Sequence, residues 1–179
     1  MEFSGADRGT RTPPLPGVGY GMAWLQAFLQ RGSGLLFDEA QAAEVSRLAE
    51  RALLGLFDVA EQTALANGRS VILRHDLPLT KGLHARLGEA EALASEVTLR
   101  PLLRFLADAG VAAPIDARVH DDIPRLMAAL LLLAGRVIAI LEPSDMSTTE
   151  RLDRLLRHDP TGPTRWELER AGRVLDLTL

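Results

Sequence analysis

Cysteine is absent from this 179-residue chain, which excludes a disulfide scaffold, a thiolate nucleophile and any Cys-ligated zinc or iron–sulfur centre. Aromatic residues make up 4% of it, and Ile and Val together number 14, so the residues that favour strands are scarce. Lysine occurs once, at Lys81, beside 19 arginines. That bias suits bidentate anion recognition, although a GC-rich genome explains it more simply. A basic surplus is also missing: the net charge is −4, with −3 on residues 1–98 and −1 on residues 99–179. A protein wrapping nucleic acid through most of its surface carries a basic footprint, so any such contact here must be local.

Leucine (33) and alanine (25) supply nearly a third of the chain. Both are strong helix formers, and the composition predicts an all-α fold. The length is that of one domain. The most apolar stretch, LMAALLLLAGRVIAIL from Leu126 to Leu141, is shorter than the ~20 residues of a usual span. It also carries Arg136, and a central Arg costs about 2.5–3.5 kcal/mol on insertion scales. It reads as a buried core helix without membrane contact, and the expected location is the cytoplasm, within the nucleoid if DNA is bound.

Residues 1–21 are rich in Gly and Pro and lack periodicity, so a disordered tail is expected there. Pro13-Pro14-Leu15-Pro16 satisfies a PxxP pattern, and Gly17-Val18-Gly19-Tyr20-Gly21 looks like a phosphate loop without the preceding strand such a loop needs. Gly9-Thr10-Arg11-Thr12-Pro13 resembles the peptide produced by translating the complement of a transfer-RNA arm, which would put the biological start at Met22. From Met22 to Leu179 a single domain is expected, in two halves, 22–97 and 98–179.

Met22–Gln30 reads as a short helix ended by Gly32-Ser33-Gly34. Asp38 to Asn67 reads as one long helix, opened by the capping box Asp38-x-x-Gln41 and stopped by Asn67-Gly68. Its apolar stripe is expected along Val45, Leu48, Ala52, Leu56, Val59, Thr63 and Ala66. After it come an extended piece at 69–72, a short helix or turn from Leu73 to Thr80, and a helix over 83–96. Thr98 can cap a helix running to Ala109, and a loop follows at 110–116. A second long helix is expected over about 116–142, or from near Asp121 with Pro124 in its first turn, halted before Pro143. Ser147-x-x-Glu150 and Thr164-x-x-Glu167 open two further helices, near 148–157 and 165–177. The pattern short, long, short therefore occurs twice. Neither long helix can cover its own apolar face, whereas two units clasped within one chain can, as an intramolecular pseudo-dimer.

At these residues the chain resembles a histone fold. The segment Asp38–Thr80, ending ANGRSVILRHDLPLT, is similar to the central helix, second loop and third helix of archaeal histones, with Arg69 and Asp76 at the family's separation of seven. HDLPLTKGL (75–83) and RAGRVLDLTL (170–179) resemble, more closely, a family of bacterial proteins with two histone folds per chain. The stretch 146–163 is longer than that family's usual loop.

The resemblance implies that Arg69 and Asp76 form a structural clamp across the loop, and that DNA is a candidate partner. It also implies phosphate donors in the loops, and at the matching first-half positions stand Leu35, Ser70 and Val71. The second half retains more: Arg118 opens an RVHDD pattern similar to the family's first loop, and Arg100 and Arg104 lie one helical turn apart. Candidate DNA contacts are thus Arg118, Arg69, Ser70, Arg100 and Arg104; Arg151, Arg154 and Arg157 line a further face interleaved with acids.

Three His-Asp dipeptides (75–76, 120–121 and 158–159) and His84 lack the spacing of a metal site, and no phosphate-loop lysine or nucleophile–base pattern occurs. No catalytic residue, metal or cofactor is therefore expected. Two readings stay open: an architectural protein binding double-stranded DNA without sequence preference, and a histone-fold module that binds its own kind or another protein without DNA.

Overall fold

The computed structural model describes residues 19–91, 96–141 and 170–171. In chain order the helices are α1 (Met22–Ser33), α2 (Glu39–Ala66), α3 (Lys81–Glu91), α4 (Leu99–Ala109), α5 (Ala117–His120) and α6 (Asp122–Leu141), with a 3₁₀ turn at Arg74–Asp76 between α2 and α3. No strand occurs among the described residues, and the all-α expectation holds. The helices expected near 148–157 and 165–177 lie outside those residues, apart from Arg170 and the buried Ala171.

Local chemistry sets most of these boundaries. Asp38 Oδ1 accepts the Gln41 amide at 2.8 Å while Gln41 Oε1 accepts the Asp38 amide at 2.9 Å, closing the capping box that opens α2. At the far end Gly68 takes a φ of +69°. The Arg69 amide then donates back to the Ala64 carbonyl at 2.9 Å, satisfying one of the carbonyls a helix end leaves orphaned.

The apolar stripe expected on α2 needs correction. Ala49, Leu53, Phe57, Ala60 and Ala64 are buried, whereas Val59 is 42% exposed and Ala66 faces solvent. The expected stripe advances 3.5 residues per turn, and a straight helix drifts about 20° per heptad from that repeat. By residues 59–66 the stripe has rotated off the core.

The second long helix takes the later of its two expected starts: α5 closes at Asp121 and α6 begins at Asp122, with Pro124 in its first turn. The stretch Ala117–Ile140 is long and apolar enough to cross a membrane by length and composition. In this structure α6 instead packs against α1, α2, α3 and α4, and Leu126, Leu130, Ala134 and Ile138 are shielded by protein. Arg136 has two partners: its NH2 lies 2.8 Å from Glu89 on α3, and its Nε donates to the Gly32 carbonyl of α1 at 3.2 Å. It therefore ties three helices together at the rim of the core.

The crossing of α1 and α6 depends on small residues. A Cβ on Gly135 would lie 3.4 Å from both Leu29 Cδ2 and Ser33 Cβ, and one on Gly32 would meet Leu132 Cδ2 at 2.4 Å. Gly135→Val is expected to lower the unfolding free energy by about 1–3 kcal/mol through overpacking, measured by urea titration. An unchanged midpoint would show that the crossing tolerates a larger separation.

Candidate nucleic-acid interface

The candidate residues fall on two surfaces. The first is built where two loops meet. Ile72, after α2, forms an isolated parallel bridge with Ile115, before α5. The Ile72 amide donates to the Pro114 carbonyl at 2.9 Å, and the Asp116 amide donates to the Ile72 carbonyl at 3.0 Å. Ile72 is fully buried between them. A carboxylate steadies the second loop from below: Glu61 Oε1 on α2 accepts the amides of Ala112 and Ala113 at 3.2 and 2.7 Å.

Arg69 and Asp76 close the first of these loops. Both terminal guanidinium nitrogens reach Asp76, each at 2.6 Å, and Asp76 Oδ2 also accepts the Leu73 amide at 2.8 Å. The Asp76 side chain is fully enclosed and that of Arg69 is 27% exposed. The guanidinium hydrogen bonds draw the Asp76 carboxyl down to about 2, against the opposing effect of desolvation; the Leu73 amide contributes in the same direction. The expected clamp is thus formed, and it commits Arg69 inward.

Ser70 stays exposed beside it. Arg118 lies on α5, its amide donating to Asp116 Oδ1 at 2.9 Å, and its exposed side chain has no protein partner among the described residues. Arg74, absent from the expected set, lies in the same loop and pairs through Nε with Asp122 Oδ2 at 2.9 Å. No local spacing could have revealed that pair, since the partners are 48 positions apart on different halves of the chain.

The second surface brings two helix beginnings together. The Thr98 amide donates to the Gly19 carbonyl at 2.8 Å and the Thr98 hydroxyl donates to the same oxygen at 3.0 Å. Thr98 therefore does not cap its own helix with its side chain, as its position suggested. Its hydroxyl serves the segment leading into α1. Gly19 has a φ of +90°, and a Cβ there would come within 2.9 Å of the Thr98 carbonyl. Gly19, Tyr20 and Gly21 are thus built into the fold rather than belonging to the expected tail; residues 1–18 lie outside the described residues.

Tyr20 anchors this segment. Its ring lies 5.3 Å from that of Trp24, which in turn lies 4.7 Å from that of Phe28. Its hydroxyl is 2.7 Å from Ser46 Oγ. Ser46 Oγ also donates to Glu50 Oε1 at 2.8 Å, so the three side chains form one chain of hydrogen bonds. Burial pushes the Tyr20 phenol pKa up, which keeps the hydroxyl protonated.

Neither α1 nor α4 has an acid in its first turn or a side-chain cap. The first-turn N–H groups of α1, those of Leu99 and Arg100 on α4 (Pro101 has none), and the two dipole ends make this junction attractive to an anion. Arg100, in the first turn of α4, is exposed and has no protein partner among the described residues. Arg104, one turn on, faces Asp108 at 3.6 Å with both side chains largely in water, where such a pair is weak.

Among the described residues no group of His, Asp and Glu is placed to hold a metal ion. His75 stands beside the clamp, its Nε2 3.8 Å from Asp76; His84 is exposed. His158, Asp159, Arg151, Arg154 and Arg157 lie outside the described residues.

These features define an all-α chain whose two halves meet through paired loops and joined helix starts. It belongs to the family described as Domain of unknown function (DUF1931), whose model matches residues 25–157. It is similar to a protein of Thermus thermophilus known from a crystal structure, at 28% identity and a TM-score of 0.74 over 89% of this chain and 99% of that one. It also shares its fold with protein AQ328 from Aquifex aeolicus, at 20% identity and a TM-score of 0.61 over 90% and 97% of the two chains. No curated protein matches it.

Proposed function

We propose that this chain is a histone-like architectural protein, an intramolecular pseudo-dimer that binds double-stranded DNA without sequence preference. The pairing of the loop after one long helix with the loop before the other, through Ile72 and Ile115, supports the two-unit reading. The observation that carries DNA binding is the junction of α1 and α4: two helix starts held together, free of acids in their first turns, with Arg100 alongside. Arg118 adds a cation beside the paired loops. Contacts of this kind recognise phosphate rather than base edges. Binding is therefore local, in keeping with the negative net charge, and places the protein on the nucleoid.

Fluorescence anisotropy with a labelled duplex tests this. With Arg100, Arg104 and Arg118 as the phosphate contacts, affinity should fall roughly 40-fold between 50 and 200 mM salt. Arg100→Ala should lower the salt slope by about 1. No complex at micromolar protein in 50 mM salt would overturn the proposal. The second reading, a module that binds protein and not DNA, draws on the internal pairing of Arg69 with Asp76 and Arg74 with Asp122, and on Leu35 where a loop donor is expected.

A further inference from the structure

We infer that Arg74 is a further phosphate-binding side chain, held in reserve by Asp122, so that Asp122 acts as a built-in brake on DNA affinity. The inference rests on the DNA-binding reading above.

Arg69 and Arg74 belong to the same loop, and each pairs with an aspartate, yet their circumstances differ. Arg69 is 27% exposed against a carboxylate with no exposed surface. Withdrawing it would strand a buried charge, which is strongly disfavoured. Arg74 is 62% exposed, its Nε lies 2.9 Å from Asp122 Oδ2, and the Asp122 side chain keeps 13% of its surface in water. The guanidinium already sits largely in water, so turning to a phosphate needs little further desolvation.

Asp122 is also equipped to lose that partner. Its other oxygen, Oδ1, lies 4.0 Å from Arg125 NH1, and Arg125 is itself held by Glu91 at 2.8 Å. Asp122 further occupies the first turn of α6, where the helix dipole favours a negative charge. Two sources of compensation thus remain when Arg74 leaves; Asp76 keeps the Leu73 amide and the more distant His75, but its side chain has no exposed surface to draw on water. The exchange is balanced: one Arg–carboxylate contact is given up and one Arg–phosphate contact forms.

The position suits the task. Arg74 is two residues from Ile72, and Asp122 is four residues from Arg118, so the pair sits at the junction of the two loops. Phosphate brought there by Arg118 competes with Asp122 for the same guanidinium.

The test is a gain of binding, which damage to the fold does not produce. In the full-length chain, Asp122→Asn should tighten duplex binding about tenfold at 50 mM salt and steepen the salt slope by about 1. The gain should disappear in the Arg74→Ala background. Asp121→Asn, which removes the same charge from an exposed neighbour with no ion pair to Arg74, should give little. An unchanged affinity for Asp122→Asn, or an equal gain with and without Arg74, would overturn the inference. If no variant binds duplex, the DNA reading itself has failed. Elution from immobilised heparin then decides: an Arg74-dependent later elution of Asp122→Asn supports a releasable cation, and unchanged elution refutes it.

Discussion

Arg69→Ala is expected to lower the thermal midpoint by roughly 10 °C, the scale for removing one member of an enclosed ion pair from a chain of this size. The loss has two parts. Asp76 keeps its enclosed position but loses both guanidinium bonds, and the loop leaving α2 loses the strut that sets its direction. Arg69→Lys should recover only a fraction, because an ammonium cannot span both carboxylate oxygens. The pH dependence is equally specific. The Asp76 carboxyl is held at about 2 in the folded chain against an ordinary 3.8, so its contribution is complete above about pH 4. As pH falls from about 4 towards 2, the unfolded chain takes up the proton first and the contribution fades. The gap in midpoint between wild type and Asp76→Asn should therefore close over that interval. A gap that persists at pH 2, or a midpoint for Arg69→Ala within a degree or two of wild type, would show that the clamp carries little of the stability.

Ile72→Ala should cost about 2–5 kcal/mol of unfolding free energy, as for truncation of a fully buried aliphatic side chain. Ile72 has no exposed surface, and its backbone amide and carbonyl both join the opposite loop. The alanine variant retains both hydrogen bonds and loses only the packing. Its bridge partner provides the control: Ile115 is half-buried, so Ile115→Ala should cost clearly less. Denaturant titrations of the two variants measure this directly. A negligible cost for Ile72→Ala would mean that Ile72 contributes through its backbone alone.

What could be read in the sequence, and what could not, divides by distance along the chain. Asp38 and Gln41, and Asn67 and Gly68, are three positions apart or fewer, and their roles follow from local geometry that any helix end imposes; Arg69 and Asp76, seven apart, are legible as a clamp through the family resemblance. Thr98 departs from expectation because a hydroxyl at a helix start ordinarily serves its own helix; its partner, Gly19, is 79 positions away. Arg74 with Asp122, Glu61 with Ala112 and Ala113, and Arg136 with Glu89 and Gly32 are likewise tertiary. Their residue types say only that they are charged. The stripe on α2 failed for a different reason: a small error in assumed period accumulates over 28 residues, so a reading accurate at Val45 and Leu48 no longer describes Val59. Of the candidate DNA contacts, Arg118 and Arg100 emerge accessible, whereas Arg69 is occupied.

Long helices α2 and α6 shield one another while belonging to a single polypeptide. Their meeting is therefore a first-order event, governed by a tether whose effective local concentration is on the order of millimolar whatever the abundance of the protein. A two-chain arrangement of the same parts would come apart on dilution, and its stability would track protomer concentration. Here the meeting of α2 with α6 is a step of folding, and dilution of the protein leaves that contact unchanged.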